Sequence, residues 1–582
     1  MQITENSRST TGTRTRVSDV SPLSGMCPLC IEECPMLCEV GKSAFRGREV
    51  LYPSPEYFGI STAASNKDFM LDWSHFQILS ELLGAWGIEP SPDLAFFENA
   101  KIDTAVASHS KKPIKLRMPV IIAGLGSTAV AKRNWVGLAK GAALTGTIQV
   151  IGENVCGMDH DASYSNGSVT SSPDLDWRVR TYRELWDGEH GNIAVQTNVE
   201  DQRAKVDEYA ISKLEVDIIE RKWGQGAKSI GGEVRLDTIE RALELKRRGY
   251  LVLPDPEDSS VQEEFRSGSF KTFERHSRVG FPDEDAFVED VERLRSNGAK
   301  YVFLKTGAYK LAVVAFTMRV ASEAKIDLLT FDGAGGGTGM SPVPMMNESS
   351  TPTIHLQSQV LKCVNILRKQ GRFVPDIAMA GRFVNETQIF KSLAMSNLGD
   401  GPVIKTIAMA RAPLLAVMKS SYFAKLAESK RLPKAFAEEY SSEPGNFFIM
   451  AKEMMERYPD MQVGKDVPWG AIGLYTYLTD RVGEGLKQLM AGSRKFSLDF
   501  LERSDIVSLS ERARKVTGIE TMEEMADRVM PPILENGRTV RVRSEIAPSR
   551  IPKPSHEAAR KGRKAAAGAI ASTGKLSDRH NT

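Results

Sequence analysis

The chain of 582 residues has no long hydrophobic run, little net charge and few cysteines. Its apolar runs all fall short of the about 18 residues that a membrane-spanning helix needs, so we expect no membrane span. The first 20 residues are rich in Ser, Thr and Arg but hold no apolar segment, so they do not match a secretory signal. A formal net charge of +2 argues against a nucleic-acid partner. These absences predict a large soluble protein of the cytoplasm.

Six cysteines do not form a disulfide framework in a chain of this length, and four of them lie within twelve residues. These four are Cys27, Cys30, Cys34 and Cys38. A continuous helix would spread them over about 16 Å, too far for one metal centre, but Pro35 opposes such a helix. Four clustered thiols favour a 4Fe–4S cluster, with a zinc ion and free thiols as the open alternatives.

Changes in composition along the chain divide it into five regions. Residues 1–21 form a polar tail that we expect to be disordered, and residues 22–115 hold the cysteine cluster. Residues 116–430 alternate strand-like and helical stretches, and residues 431–546 have a mostly helical pattern. Residues 547–582 are polar and basic, which predicts a disordered tail. An arm for nucleic acid or a membrane surface stays open as the alternative for this tail.

Short apolar runs in residues 116–430 are separated by amphipathic helical stretches, after an expected helix at 72–86. Strands that alternate with helices predict βαβ units and a parallel sheet. The number of runs is near eight, and Leu251–Leu253 is counted among them. This number favours an α/β fold with a closed (β/α)8 TIM barrel over an open sheet. The active site of such a barrel lies in the loops that follow the strands.

The stretch 332–342 has five glycines within seven positions and follows an apolar run at 328–331. Glycine lets backbone N–H groups approach an anion or a flat ring closely. The stretch is not a Walker loop, because no Gly-Lys-Ser/Thr follows, and it does not contain G-x-G-x-x-G. Taken alone, this pattern is equally typical of a flexible loop.

A second motif at 220–228 reads Glu-Arg-Lys-Trp-Gly-Gln-Gly-Ala-Lys and follows the apolar run 216–219. Together the two stretches resemble the FMN-binding synthase domain of the glutamate synthase family, in its stand-alone form without a glutaminase domain. That family carries Glu-x-Lys-x-x-Gln-Gly-Ala-Lys and a loop like Asp-Gly-Gly-x-Gly-Gly-Thr-Gly-Ala-Ser-Pro in the same order. Further matches extend over 118–413, so the resemblance covers roughly half of the chain.

The resemblance implies a barrel that binds FMN on its C-terminal face. Lys305 matches the family's lysine beside the flavin, where an ammonium group would stabilise the reduced ring, and Lys228 is implied as a second catalytic residue. Gly381 and Arg382 are expected at the FMN phosphate, which backbone N–H groups and an arginine fork can hold. The other implied cofactor-binding residues are Gly124, Lys222, Gln225, Asp332, Gly333, Gly335, Gly336 and Gly337. The family's Pro-Gly-Glu-Gly-Gly is replaced here by the sequence at 229–233, which reads Ser-Ile-Gly-Gly-Glu.

The implied reaction is the reductive amination of 2-oxoglutarate to glutamate. No glutaminase domain fits before the barrel, and no dinucleotide motif is visible. Ammonia is therefore expected from solution or from a glutaminase subunit, and electrons from ferredoxin or from an NAD(P)H-oxidising subunit, in a homo- or hetero-oligomer. The family's 3Fe–4S cysteines after the last strand are absent. Two alternatives stay open: the same chemistry on another amine, such as N-methylglutamate, and a non-catalytic partner subunit.

Cys34→Ser should remove iron while leaving FMN bound, because the cysteine segment precedes the expected barrel. Anaerobically purified parent protein should contain about four irons per chain, as a 4Fe–4S centre requires, and the variant far fewer. Iron analysis and flavin absorbance of both proteins check this expectation. One zinc ion per chain in place of iron would contradict it and would assign electron delivery to a partner.

Overall fold

The computed structural model describes residues 44, 45, 47, 65, 67–227, 230, 233–338 and 341–535. Two groups of predicted site residues lie outside these ranges: Lys228, and the cysteines Cys27, Cys30, Cys34 and Cys38. The chain divides into two compact units, Met1–Val529 and Met530–Thr582, and only residues 530–535 of the second unit are described. The fold below is that of the first unit.

Eight parallel strands close into a barrel, in which each strand pairs with the next along the chain and the last pairs with the first. Strands of this kind are buried on both faces, which is why they occur in the sequence as short apolar runs. The α/β TIM barrel predicted from the sequence is confirmed. The strands are β1 Val120–Leu125, β2 Gln149–Ile151, β3 Ile193–Thr197, β4 Ile218–Lys222, β5 Tyr301–Gly307, β6 Leu328–Asp332, β7 Asp376–Ala380 and β8 Ile404–Met409.

A helix lies between each strand and the next, and one follows the last strand. Several begin with a side-chain cap; Thr128, for example, accepts a hydrogen bond from the backbone N–H of Ala131. The helices are α1 Ala129–Thr145, α2 Pro173–Arg183, α3 Val206–Leu214, α4 Glu284–Ser296, α5 Leu311–Glu323, α6 Thr353–Lys369, α7 Glu386–Ser396 and α8 Arg411–Glu428. Short elements in the connecting loops are Val155–Met158, Ser163–Ser165, Ser168–Ser171, Val199–Arg203 and Val343–Glu348.

Side chains alternate along the barrel strands between two apolar layers. Outward residues such as Leu304 and Leu329 pack against the helices, and inward residues such as Phe303 and Leu328 fill the barrel. A hairpin of strands Thr104–Val106 and Ile114–Leu116 joins the inner layer at the end where the strands begin. The opposite end, where the strands finish, is therefore the only barrel end that these described segments leave for a site.

An insertion between β4 and β5 forms a separate three-stranded antiparallel sheet. The strand Phe273–His276 lies at its centre, between Glu233–Leu236 and Leu251–Leu253. The helices Ile239–Arg247 and Ser259–Ser267 belong to the same insertion. The prediction that Leu251–Leu253 is a barrel strand is wrong. Three apolar residues give the same signal in a small antiparallel sheet, where Leu251 and Leu253 are in fact exposed.

The prediction of a helix at 72–86 is also wrong. The chain forms a 3-10 turn at Trp73–His75 and then a short strand, Phe76–Ile78, which pairs with Ile506–Ser508. Asp72 caps the turn by accepting hydrogen bonds from the backbone N–H and the hydroxyl of Ser74. Pairing with a segment from the far end of the chain overrides the local helical pattern.

The region that follows α8 is mostly helical and packs on the barrel. Gly141 of α1 allows the helix Trp469–Thr476 to lie close, because a Cβ there would be 2.9 Å from the Leu474 side chain, and Gly137 allows α8 to lie close, because a Cβ there would be 2.5 Å from the Val417 side chain. No helix in the described part of the chain is long and apolar enough to cross a membrane. The α-helices of this region are Lys434–Tyr440, Pro444–Phe447, Ala451–Arg457, Trp469–Thr476, Gly485–Gly492, Glu511–Thr517 and Met522–Glu535, and a π-helix spans Tyr477–Glu484. Two 3-10 turns, Leu498–Phe500 and Arg503–Asp505, also belong to it, and a further one, Phe97–Asn99, lies before the barrel.

Candidate active site

The loops at the C-terminal ends of the strands pack directly on one another, and several motif glycines are needed for this contact. A Cβ on Gly226, after β4, would lie 2.2 Å from the carbonyl oxygen of Gly333, after β6. A Cβ on Gly307, at the end of β5, would lie 2.8 Å from the carbonyl oxygen of Gln225. The loop after β4 therefore crosses β5 and reaches β6. Loop packing alone accounts for glycine at these positions.

Thr353, the first residue of α6, joins the loops after β6 and β7. Its hydroxyl lies 2.8 Å from the carbonyl oxygen of Ala334 and 3.1 Å from that of Gly381. A Cβ on Gly333 or Gly381 would come within 2.5 Å of the same hydroxyl. Gly381 also has φ +115°, a backbone conformation that other residues rarely adopt.

Gly335 and Gly336 are less crowded by neighbouring loop backbone than Gly226, Gly307 and Gly333. Gly335 has φ +107°, and a Cβ there would meet only the Arg382 side chain, at 3.2 Å. No atom lies closer than 3.6 Å to a Cβ placed on Gly336. Gly337 is half-buried. The backbone at 335–336 can thus be approached closely by a ligand.

A cavity of about 390 Å³ lies beside Gly335 and Gly381. The first residue of α6, Thr353, and the N-cap of α7, Asn385, both line it. Because helix N-termini carry partial positive charge, this cavity favours an anion. Arg382 and Lys391 add two cationic side chains, against the single carboxylate of Asp72.

Arg382 lines the cavity with an unusual backbone conformation and a side chain that is unpaired among the described residues. It adopts φ +65°, an uncommon conformation for a residue other than glycine. Its guanidinium makes no ion pair with any described carboxylate. The structure thus brings together Gly335, Gly381 and Arg382, which the sequence analysis assigned to one cofactor.

Lys305, at the C-terminal end of β5, is a buried ammonium group in the barrel mouth. It is 6% exposed, and its Nζ lies 3.5 Å from Oδ2 of Asp332, the last residue of β6. Burial by itself lowers the pKa of Lys305, but the attraction of neighbouring carboxylates, Asp332 first among them, outweighs burial and raises it. Lys305 therefore keeps its positive charge.

Lys222, at the end of β4, binds two groups at once. Its Nζ lies 2.6 Å from Oε1 of Glu153 and 2.9 Å from Oε1 of Gln225. Burial raises the pKa of Glu153, but Lys222 outweighs burial and brings the pKa down to about 2. The predicted Lys222–Gln225 pair is thus found together. Glu153, in the loop after β2, was not predicted as a site residue. The Gly-Glu pair that directly follows an apolar run is the sequence pattern that could have indicated it.

A second acid, Glu220, lies deeper in the barrel, beside Gln196 of β3. Both side chains are 2% exposed, and the amide Nε2 of Gln196 donates a hydrogen bond to Oε1 of Glu220. Burial raises the pKa of Glu220, and Lys305 opposes that rise. Gly124 of β1 lies against Gln196, because a Cβ there would be 2.9 Å from the amide oxygen. Gly124 thus has a packing reason to be glycine.

The two sides of the barrel mouth differ in the size and polarity of their side chains. The ends of β3 to β6 carry the amide and charged groups described above. The inward residues of β1, β7 and β8 near the same end are small: Ala123, Ala378, Ala380 and Ala408, with Thr406 at the level of Ala378. Small side chains on one side and charges on the other leave room for a flat polar ligand.

A buried arginine from the insertion adds to this charged side. Arg275 is 1% exposed, and its Nη1 donates to Oγ of Ser277 at 3.0 Å. Its guanidinium lies over the ring of Tyr250, 4.9 Å from the centroid, and Tyr250 in turn donates to Oδ1 of Asn154 at 3.2 Å. This network connects the insertion to the loop that carries Glu153.

The guanidinium of Arg275 has no carboxylate within ion-pair distance among the described residues, and its Nε has no hydrogen-bond partner there. Burial lowers its pKa, and Tyr250 and Glu153 are the first groups that oppose this. Buried arginines are normally paired, so Arg275 has unused capacity to bind an anion. Arg275 could not be predicted from the sequence, because an arginine in a three-stranded insertion gives no periodic signal.

Within the described ranges, no group of three or more His, Cys, Asp or Glu side chains is placed to hold a metal ion. The cysteine cluster lies outside those ranges, so the iron–sulfur expectation stays a prediction.

Comparisons with known proteins add little to this description. No protein-family model matches the chain, and no curated protein matches it. A solved structure of a chimeric (S)-mandelate dehydrogenase is 12% identical and covers 75% of this chain and 88% of its own, with a TM-score of 0.38. A mandelate oxidase structure is 12% identical and covers 73% and 84%, also with a TM-score of 0.38. Because both TM-scores are below 0.5, the barrel assignment depends on the strand pairing of this chain alone.

Lys222→Met should destabilise the protein at pH 7 by roughly 2–4 kcal/mol, because it leaves the Glu153 carboxylate without its partner. In the parent protein the pKa of Glu153 is lowered from 4.5 to about 2, so its stabilising contribution is present above pH 4.5 and is lost as the pH falls towards 2. The difference in the free energy of unfolding between the parent and the variant should therefore become smaller as the pH falls from 5 to about 3. Urea unfolding midpoints over this range check the expectation.

The double variant Lys222→Met, Glu153→Gln is the control. The difference in the free energy of unfolding between this double variant and Glu153→Gln should not depend on pH in this range. Both proteins lack the Glu153 carboxyl group that titrates. A Lys222→Met deficit that is equal at pH 7 and pH 3 would contradict the assignment of a charged Lys222–Glu153 pair.

Proposed function

We propose that this protein is an FMN-dependent oxidoreductase of the glutamate synthase type, which reductively aminates a 2-oxo dicarboxylic acid such as 2-oxoglutarate. The observation that carries the proposal is a pair of buried cations, Lys305 of β5 and Arg275 of the insertion. Each of them interacts electrostatically with the carboxylate of Glu153.

The residues at the barrel mouth fit FMN. The cavity beside Gly335, Gly381 and Arg382 suits its phosphate, since two helix N-termini and two cationic side chains line that cavity. The alanine side of the mouth suits the flat ring, and Lys305 suits its polar edge. The buried hydroxyl of Thr330 on β6, next to Lys305 in strand register, has no hydrogen-bond partner and is available to a ligand. FMN, when bound, supplies reducing equivalents to a carbon–nitrogen double bond.

The chain's own residues would bind and orient the oxo acid. Arg275 would hold one carboxylate through its unused guanidinium N–H groups, and burial would strengthen this contact by excluding water. Lys222 contacts Glu153 and Gln225. Its ammonium group thereby keeps a positive charge in place between the insertion and the barrel. Lys305 would stabilise negative charge that develops on the ring edge when electrons arrive.

Ammonia and electrons come from elsewhere in this proposal. A glutaminase subunit or free ammonia would supply nitrogen, and ferredoxin or an NAD(P)H-oxidising subunit would supply electrons. A 4Fe–4S cluster on Cys27, Cys30, Cys34 and Cys38 would relay them one at a time.

The purified protein should be yellow and bind FMN close to one per chain. Dithionite-reduced protein should be reoxidised without oxygen when 2-oxoglutarate and ammonium are added together. Lys305→Met should slow this reoxidation about 100-fold, the usual effect of removing one charge-stabilising donor.

Lys300→Met is the matched control: Lys300 precedes the same strand at the opposite end of the barrel, is exposed and pairs with Asp217 at 2.8 Å. The control should react at the parent rate. Reoxidation by 2-oxoglutarate together with methylamine, but not together with ammonium, would move the substrate to another amine. Colourless protein that takes up no FMN would overturn the proposal.

Arg275→Gln should raise the half-saturating concentration of 2-oxoglutarate about 10- to 100-fold, because a charge-assisted contact contributes roughly 1.5–3 kcal/mol. FMN affinity should not change. Arg266→Gln, an exposed arginine of the same insertion, is the control and should behave as the parent protein. A weaker FMN complex together with unchanged oxo-acid saturation would contradict the role given to Arg275.

A further inference from the structure

The amide of Gln196 and the carboxyl of Glu220 form an isolated polar pair inside the barrel. They belong to the neighbouring strands β3 and β4, at directly opposed positions of the sheet register. Each residue is 2% exposed, and the amide oxygen of Gln196 is fully out of contact with solvent. The single hydrogen bond between them runs from Nε2 of Gln196 to Oε1 of Glu220.

The amide oxygen of Gln196 lacks a donor. Oε1 is buried and has no hydrogen-bond partner. A Cβ placed on Gly124 would be nearly equidistant from the Oε1, Cδ and Nε2 atoms of Gln196, at 2.9, 3.1 and 3.1 Å. Gly124 therefore covers the flat face of the amide, and the in-plane lone pairs of Oε1 point elsewhere.

We propose that Glu220 carries a proton and donates it to Oε1 of Gln196, so that acid and amide form a closed pair with two hydrogen bonds. A carboxylate offers only acceptors, whereas a carboxylic acid offers one acceptor and one donor, which is what the amide requires. The last torsion of a glutamate side chain is soft, so the second oxygen can turn into the amide plane. This pairing satisfies a buried atom that an ionised Glu220 would leave without a partner.

The charges that face Glu220 agree with a neutral acid. Lys305 of β5 and Lys222 of β4 are the cations that act on Glu220, and Glu153 is an anion that acts on it. Lys222 is already paired with Glu153, and Lys305 with Asp332. A third carboxylate here would have no cation of its own. Burial, the largest influence, raises the pKa of Glu220 in the same direction.

The consequence for the cofactor rests on the proposed function, whereas the protonation itself does not. With Glu220 neutral, the ammonium of Lys305 is opposed only by Asp332 and the more distant Glu153, and more of its positive potential reaches the position assigned to the flavin. Glu220 and Gln196 are in this sense positioning residues that set the field of Lys305 without touching the substrate.

Infrared difference spectroscopy on the whole protein tests the protonation. The spectrum of the parent protein minus that of Glu220→Gln at pH 7 should show a carboxylic-acid C=O band that shifts in heavy water. Other buried acids are present in both proteins and cancel. Gln196→Met should move this band to higher frequency, because the acid loses its amide partner. A carboxylate band in place of the acid band, or no movement in Gln196→Met, would overturn the proposal.

A second measurement uses the protein reconstituted with FMN. Replacing a neutral acid by a neutral amide leaves the charge near Lys305 unchanged, so Glu220→Gln should keep the parent midpoint potential. A raised potential would show that an anion had been removed, and would overturn the proposal. If the protein takes up no FMN, the proposed function fails while the infrared result still decides the protonation of Glu220.

Discussion

Burial of the Lys305 ammonium is the constraint on which the barrel mouth depends. Moving a cation out of water costs on the order of several kcal/mol unless nearby charges and hydrogen bonds compensate it. Asp332 at 3.5 Å provides the direct partner, and the more distant Glu153 adds to it. Glu153 is itself fixed by Lys222, so the ends of β4, β5 and β6 and the loop after β2 form one charge network. Each buried charge of this network depends on an oppositely charged neighbour, so the loss of one member destabilises the others.

The glycines of the two motifs have different roles that the sequence does not separate. Gly226, Gly307 and Gly333 are needed because loops from different strands cross in van der Waals contact. Gly335 and Gly336 are less crowded, because a Cβ on either would lie at least 3.2 Å from the described neighbouring atoms, and Gly335 lines the cavity. A glycine-rich stretch is therefore compatible with dense loop packing and with ligand binding. In this chain it provides both within five positions.

The barrel could be predicted because strands buried on both faces produce apolar runs at regular intervals. The same signal failed at Leu251–Leu253, where a three-residue run belongs to a small antiparallel sheet instead. Lys222 and Gln225 could be predicted from a motif, since their contact is local. Glu153, Gln196 and Arg275 depend on contacts between distant parts of the chain. No local pattern records those contacts, so these residues required the structure.

The barrel and the insertion contribute different charged residues to the site, and we infer different roles for them. Lys305, Lys222 and the cavity at Gly381 and Arg382 belong to the strands and the loops directly after them. Arg275 belongs to the insertion between β4 and β5, which begins where the sequence at 229–233 departs from the glutamate synthase pattern. If Arg275 holds the oxo acid, as we propose, then the insertion sets which acid is accepted while the barrel sets the redox chemistry. A change of substrate could then occur through the insertion without disturbing the buried charge network that the barrel needs.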